Sequence, residues 1–152
     1  MTRPNDTRRV YYPDRAYSCE LPEYLLGKRV RATWITYRER SIWCCDFSGY
    51  GANPQGLRTE IEVSDIVIRQ QPENSVLVAV VLYKTKMVPE IIDFFRTNTT
   101  RTPNPIHKMA ILFLPGFRRI WYQAVQHGVW PEYTRFLDDY EKAKDWLIKD
   151  SF

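Results

Sequence analysis

Cysteine and histidine are scarce in this chain, and their scarcity closes off whole classes of chemistry. Three cysteines, Cys19, Cys44 and Cys45, occur in 152 residues. The number is odd, and the vicinal pair sits on an expected strand, where consecutive side chains point to opposite faces. No disulfide framework is expected, and the thiols read as small buried hydrophobes. A zinc site would want a C-x-x-C pair with further ligands, and neither the vicinal cysteines nor His107 and His127 supply that spacing. No metal ligand set and no cofactor is expected.

Long hydrophobic runs are missing too. No stretch approaches the roughly 20 apolar residues that span a bilayer. Residues 1–10 are polar and charged, with no apolar signal-peptide core. The expectation is a cytoplasmic protein without a transmembrane segment. One-sided charge is also modest: 22 basic against 18 acidic residues leave a formal +4, and Arg3, Arg8, Arg9 and Arg15 crowd the N-terminus. Elsewhere bases and acids are interleaved, whereas phosphate neutralisation needs cations gathered on one face. Arg118 and Arg119 beside Trp121 could stack on bases, but Asp138, Asp139, Glu141 and Asp145 lie close in sequence and would repel phosphate. No nucleic acid is expected as a partner.

What the chain does have is 44% hydrophobic content, enough to bury a core, and a length suited to one domain. Its most telling stretch is residues 76–82, Val-Leu-Val-Ala-Val-Val-Leu, a run without polar alternation that reads as a central strand buried on both faces. Residues 1–20 mix Arg, Asp, Pro and Tyr without periodicity and read as a flexible or surface-lying arm, leaving 21–152 as the folded unit. Residues 28–37 alternate as a half-exposed strand, and 41–47 pair with them as an antiparallel hairpin. Asn53 followed by Pro54 opens a helix to about residue 70, with Leu57, Ile61, Val67 and Ile68 inward and Arg58, Glu60, Glu62 and Arg69 facing water. Beyond the apolar run come a short helix at 89–97, a loop at 96–105, a strand at 108–114, a helix at 117–127 and a short strand at 134–137. Asp138, with Glu141 three residues on, has capping-box spacing for a last helix. The expected fold is α/β, with a mixed central sheet of about five strands and about four helices.

The tail Arg135-Phe136-Leu137-Asp138-Asp139-Tyr140-Glu141-Lys142-Ala143-Lys144-Asp145-Trp146-Leu147 resembles the closing segment of bacterial SpoIIAA-like proteins of the STAS/SEC14-like families. The resemblance extends over roughly residues 28–148, through the helix around Trp121, the strand from Met109 to Leu114, the apolar run and residues 45–50. It implies a STAS-like fold, and roles such as anti-sigma factor antagonist, sensory module or carrier of apolar ligands and lipids. Phosphorylation-switched members carry a serine in an Asp-Ser-Ser-Gly-like sequence after the central strand. Here Tyr83, Lys84, Thr85, Lys86 and Met87 stand instead, and Thr85 is the one hydroxyl available as a phospho-switch, flanked by Lys84 and Lys86. An ordinary solvated loop threonine is the plainer reading.

The candidate binding surface joins Tyr83, Lys84, Lys86 and Met87 to Asp46, Ser48 and Tyr50, bordered by Phe117, Trp121 and Tyr122. Asp46 reads as a residue that fixes the turn. The segment 117–130 is more apolar than one helix face requires, which points to a homodimer contact, another protein partner, or a groove for an apolar small molecule or lipid. A small hydrolase using Ser48 or Cys45 would need a histidine nearby in space. The expected function is a non-enzymatic binding or regulatory module, with no catalytic residue.

Overall fold

The apolar run lies where its composition puts it, in the middle of a sheet. In the computed structural model, which describes residues 7–12, 17–50, 53–86, 88–113 and 134–149, the strands are β1 (Thr7–Tyr12), β2 (Tyr17–Pro22), β3 (Thr33–Tyr37), β4 (Arg40–Asp46), β5 (Val76–Val81), β6 (Ile106–Leu112) and β7 (Thr134–Leu137). The α-helices among the described residues are α1 (Pro54–Arg69), α2 (Pro89–Thr100) and α3 (Tyr140–Ile148), and a single 3-10 turn occupies Glu23–Leu25. Strands β3 to β7 form one sheet in chain order, with β3 antiparallel to β4 and the rest parallel. The sheet is therefore mixed and five-stranded, and the hairpin contributes its antiparallel edge. The helix expected at 117–127 lies outside the described residues.

Strand β5 serves two cores at once. Val76, Val78, Val80 and Leu82 point into the larger cluster, with Leu57, Ile61, Val67 and Ile68 of α1 and Ile91, Phe94 and Phe95 of α2. Leu77 and Ala79 point the other way, against Ala143 and Leu147 of α3. Alternate side chains of a strand leave on opposite faces, so a strand covered on both sides must be apolar at every position. Ala79 sits beside Ala110 on β6, and both face the α3 side, which lets that short helix lie close to the sheet. At the far edge Trp34 and Trp43 are paired across β3 and β4 and meet edge to face at 5.3 Å. Such a pair is worth roughly 0.5–1.5 kcal/mol beyond its buried area.

Several boundaries differ from the sequence pattern for local reasons. The strand expected from residue 28 starts only at Thr33, because the Arg31 and Ala32 amides donate to the Glu60 carboxylate, at 2.8 and 3.0 Å, instead of joining a ladder. Glu60, read as facing water, is wholly buried. Helix α2 continues to Thr100 through residues that read as loop, since Asn98 donates to the Phe94 carbonyl at 2.8 Å and the Thr100 hydroxyl to that of Arg96 at 2.9 Å. The last helix is capped one residue later than expected: Asp139, not Asp138, accepts from the Lys142 amide at 3.0 Å. Thr7–Tyr12 and Tyr17–Pro22 pair as an antiparallel hairpin, and Cys19 and Leu21 of β2 are buried in the α1 core.

Two polar devices tie the layers together. Lys108, fully buried on β6, donates to the carbonyls of Trp146 at 3.0 Å and Lys149 at 2.8 Å. It places a cation at the carbonyl end of α3, where the helix dipole favours one. Tyr37 donates to Asp145 at 2.6 Å, joining β3 to the same helix.

The β3–β4 connection holds both central residues at positive φ, Arg38 at 48° and Glu39 at 68°. A two-residue turn of the primed kind needs this, and Asn-Gly meets it at far lower cost than Arg-Glu. Replacement of Glu39 by glycine keeps Arg38 within 3.9 Å of Asp145 and removes a left-handed side chain that costs about 1 kcal/mol. Urea unfolding of Glu39→Gly should show a higher midpoint at unchanged slope. A lower midpoint would show that the turn is not under strain.

Candidate functional site

The carboxyl ends of β4 and β5 are joined by their own loops. The Phe47 amide donates to the Val81 carbonyl at 3.0 Å and the Gly49 amide to that of Tyr83 at 2.7 Å. The Thr85 hydroxyl donates to the Phe47 carbonyl and accepts from the Tyr50 amide at 3.2 Å. Asp46 accepts from the Ser48 amide at 3.1 Å and from its hydroxyl at 2.5 Å, shaping the turn as its position in the sequence suggests. Residues 46–50 and 83–86 thus form one rim. Tyr83 is exposed on it, its ring 5.7 Å from that of Phe113 and 5.4 Å from the Lys84 ammonium. Lys86 is exposed. Met87, Phe117, Trp121 and Tyr122, the remaining candidates, lie outside the described residues.

Thr85 is not the solvated loop residue of its plainer reading: it is buried, and it stands ahead of helix α2. Helix α2 begins at Pro89 after Val88, so the threonine precedes its amide terminus instead of sitting on it. Its side chain is 2% exposed, and the oxygen already serves both loops. A phosphate there would have to break both hydrogen bonds and open the rim.

Around the corner, on the α1 side of β4, lies a cleft of about 670 Å³ lined by Lys28, Arg29, Val30, Arg31, Gly49, Tyr50 and Asn53. The buried Glu60 anchors it. This carboxylate accepts from the Arg31 and Ala32 amides and from the Tyr50 hydroxyl at 2.6 Å, and lies 3.8 Å from the Arg31 guanidinium. Arg31 in turn donates to the Ser48 carbonyl and stands 4.5 Å from the centre of the Tyr50 ring. Tyr50 is seated against the first turn of α1 at Gly56, where an added Cβ would come within 2.6 Å of the ring. Burial and the bond to Glu60 raise the Tyr50 phenol, so it acts as a donor here. Sequence reasoning missed this cleft. The available signal was the spacing of Glu60, three residues after Leu57 and four before Ser64, on the helix's inward row.

The groups that could perform covalent chemistry are placed against it. Burial pushes the Cys45 thiol well above its usual range and raises that of Cys44, and a protonated thiol is a poor nucleophile. Cys44 faces α3, 3.5 Å from the Tyr140 hydroxyl, while Cys45 lies in the α1 core. His107 stands at the amino end of β6, 2.9 Å from the Asn74 side chain. Its neighbour Lys108 is level with Leu77 and so with Ile42 on β4, whereas Ser48 lies past Asp46. At about 3.3 Å per residue, roughly 13 Å of strand separates those two levels. The structure does not bring Ser48 and His107 together; His127 lies outside the described residues. Among the described residues no group of three or more His, Cys, Asp and Glu could hold a metal ion, and no helix is long and apolar enough to cross a membrane.

No family model, curated protein or solved structure matches this chain.

Two outcomes follow from the geometry. Glu60→Leu should lower stability by about 2–4 kcal/mol in urea unfolding, because buried donors lose a charged acceptor; a change near zero would show that the 28–32 segment does not depend on it. For His107, burial first and then Lys108 and Arg40 lower the imidazole from its ordinary 6.5. The unfolded chain then binds that proton at higher pH than the fold, so the residue's contribution to stability is complete above about pH 6.5 and is lost as pH falls through the folded value. An NMR titration of the imidazole should give a midpoint below 6.5, and one at or above it would contradict the placement.

Proposed function

We propose that this protein is a non-enzymatic binding or regulatory module built on a STAS/SpoIIAA-like scaffold, and that it engages a small molecule at the cleft between residues 28–31 and the start of α1. The carrying observation is the cleft itself, ordered by a buried carboxylate that fixes Arg31 and Tyr50 on its wall. Its volume lies within the range of small-molecule sites, about 300–1,000 Å³. It opens beyond the carboxyl end of β4, the end of the strands at which open α/β sheets bind ligands. The scaffold reading draws on the sheet in chain order with an antiparallel first strand and on the likeness of the tail. A non-catalytic role is supported by the protonated, buried thiols and by the strand length between Ser48 and His107.

Native mass spectrometry of protein purified from its own host should show an adduct that denaturation releases, and serine- and cysteine-directed covalent probes should leave Ser48, Cys44 and Cys45 unlabelled in the folded protein. Labelling of Ser48, an adduct that survives denaturation, or the absence of any adduct would overturn this reading.

A further inference from the structure

We infer that the ligand of this cleft is a small organic anion, a phosphate monoester with a body about the size of a sugar. The inference rests on the binding reading above and specifies its chemistry. Three cations, Lys28, Arg29 and Arg31, line the cleft, and among the described residues no acid lines it with them. Lys28 and Arg29 are exposed, and among the described residues no acid pairs with either. The carboxylates near Arg31 are Asp46, engaged by the amide and hydroxyl of Ser48, and Glu60, which is wholly buried and already engaged by two amides and the Tyr50 hydroxyl. Glu60 offsets part of the Arg31 charge at 3.8 Å and leaves the other two cations uncompensated.

Arg31 is the positioned member of the three. Its guanidinium is held by the Ser48 carbonyl and the Tyr50 ring, so less side-chain freedom is lost when an anion arrives. Arginine pairs with phosphate through two parallel hydrogen bonds, and lysine adds a point charge. The 16-residue helix α1 is capped by Asn53 on the same wall, and the positive end of its dipole adds to the cations' field. Inorganic phosphate would leave most of about 670 Å³ unfilled. Val30 and Tyr50 supply an apolar wall for a carbon body attached to the phosphate.

The test uses the full chain and isothermal titration calorimetry at low ionic strength, with glucose 6-phosphate as probe, glucose as its uncharged control, citrate as a carboxylate anion and a single-stranded oligonucleotide as a polyanion. Glucose 6-phosphate should bind and glucose should not, with affinity falling as salt rises. The K28A/R29A variant, altered at two exposed positions and therefore expected to melt as the parent does, should bind glucose 6-phosphate at least tenfold more weakly, about 1.4 kcal/mol. No binding of glucose 6-phosphate, equal binding by the variant, or tighter binding of citrate or of the oligonucleotide would overturn the inference. The host-derived adduct separates the two readings: if it persists undiminished in K28A/R29A, the binding role stands and the anionic ligand falls; if the parent carries none, the binding role itself falls.

Discussion

Everything in this fold is arranged around a strand that has no outside. Because β5 buries both of its faces, one helix layer must cover each side. The larger core gathers α1 and α2 over Val76, Val78, Val80 and Leu82, and α3 closes the opposite face over Leu77 and Ala79. Parallel strands impose the same demand, since each crossover deposits a helix on the sheet. The carboxyl ends of β4 and β5 then fall side by side, and the loops leaving them must run together. Thr85 is the joint, its one hydroxyl shared between Phe47 and Tyr50. A residue whose plainer reading is a solvated loop threonine is in its tertiary setting buried and bonded to both loops.

The cleft depends on a second buried group. A carboxylate removed from water is stable only when fully hydrogen-bonded. Glu60 meets that condition by drawing in two amides of the 28–32 segment and the hydroxyl of Tyr50. The amides that would have extended β3 are thereby diverted, and the chain before Thr33 becomes the wall of a recess instead of an edge strand. Arg31 is turned toward Tyr50 by the same arrangement. One buried acid thus supports a surface whose exposed charge is basic, which links the packing of α1 directly to the chemistry available outside it.

Much of the architecture was legible in residue order. The unbroken apolar run identified the central strand, Asn53-Pro54 marked the start of α1, and the alternation of strand and helix patterns indicated an α/β sheet with an antiparallel hairpin. These signals are local: periodicity and capping act within a few residues and survive in the linear chain. The boundaries that moved did so where a distant partner intervened, as with Glu60 at the start of β3. Others moved where a side chain satisfied its own backbone, as with Asn98 and Thr100 in α2. Of the candidate surface, Asp46, Ser48, Tyr50, Tyr83, Lys84 and Lys86 share one rim, and that adjacency follows from the parallel register of β4 and β5.

The sequence by itself determined the central strand β5, the hairpin of β3 and β4, the start of α1, and that the thiols have no metal-ligand spacing, because composition, capping and periodicity carry that information residue by residue. Only the tertiary structure decided that Glu60 is a buried anchor, that Thr85 is enclosed, and that Lys28, Arg29 and Arg31 share a cleft with Tyr50. Those facts rest on contacts between residues separated by 10 to 38 positions. Such pairings are set by strand register and helix packing, not by any pattern along the chain.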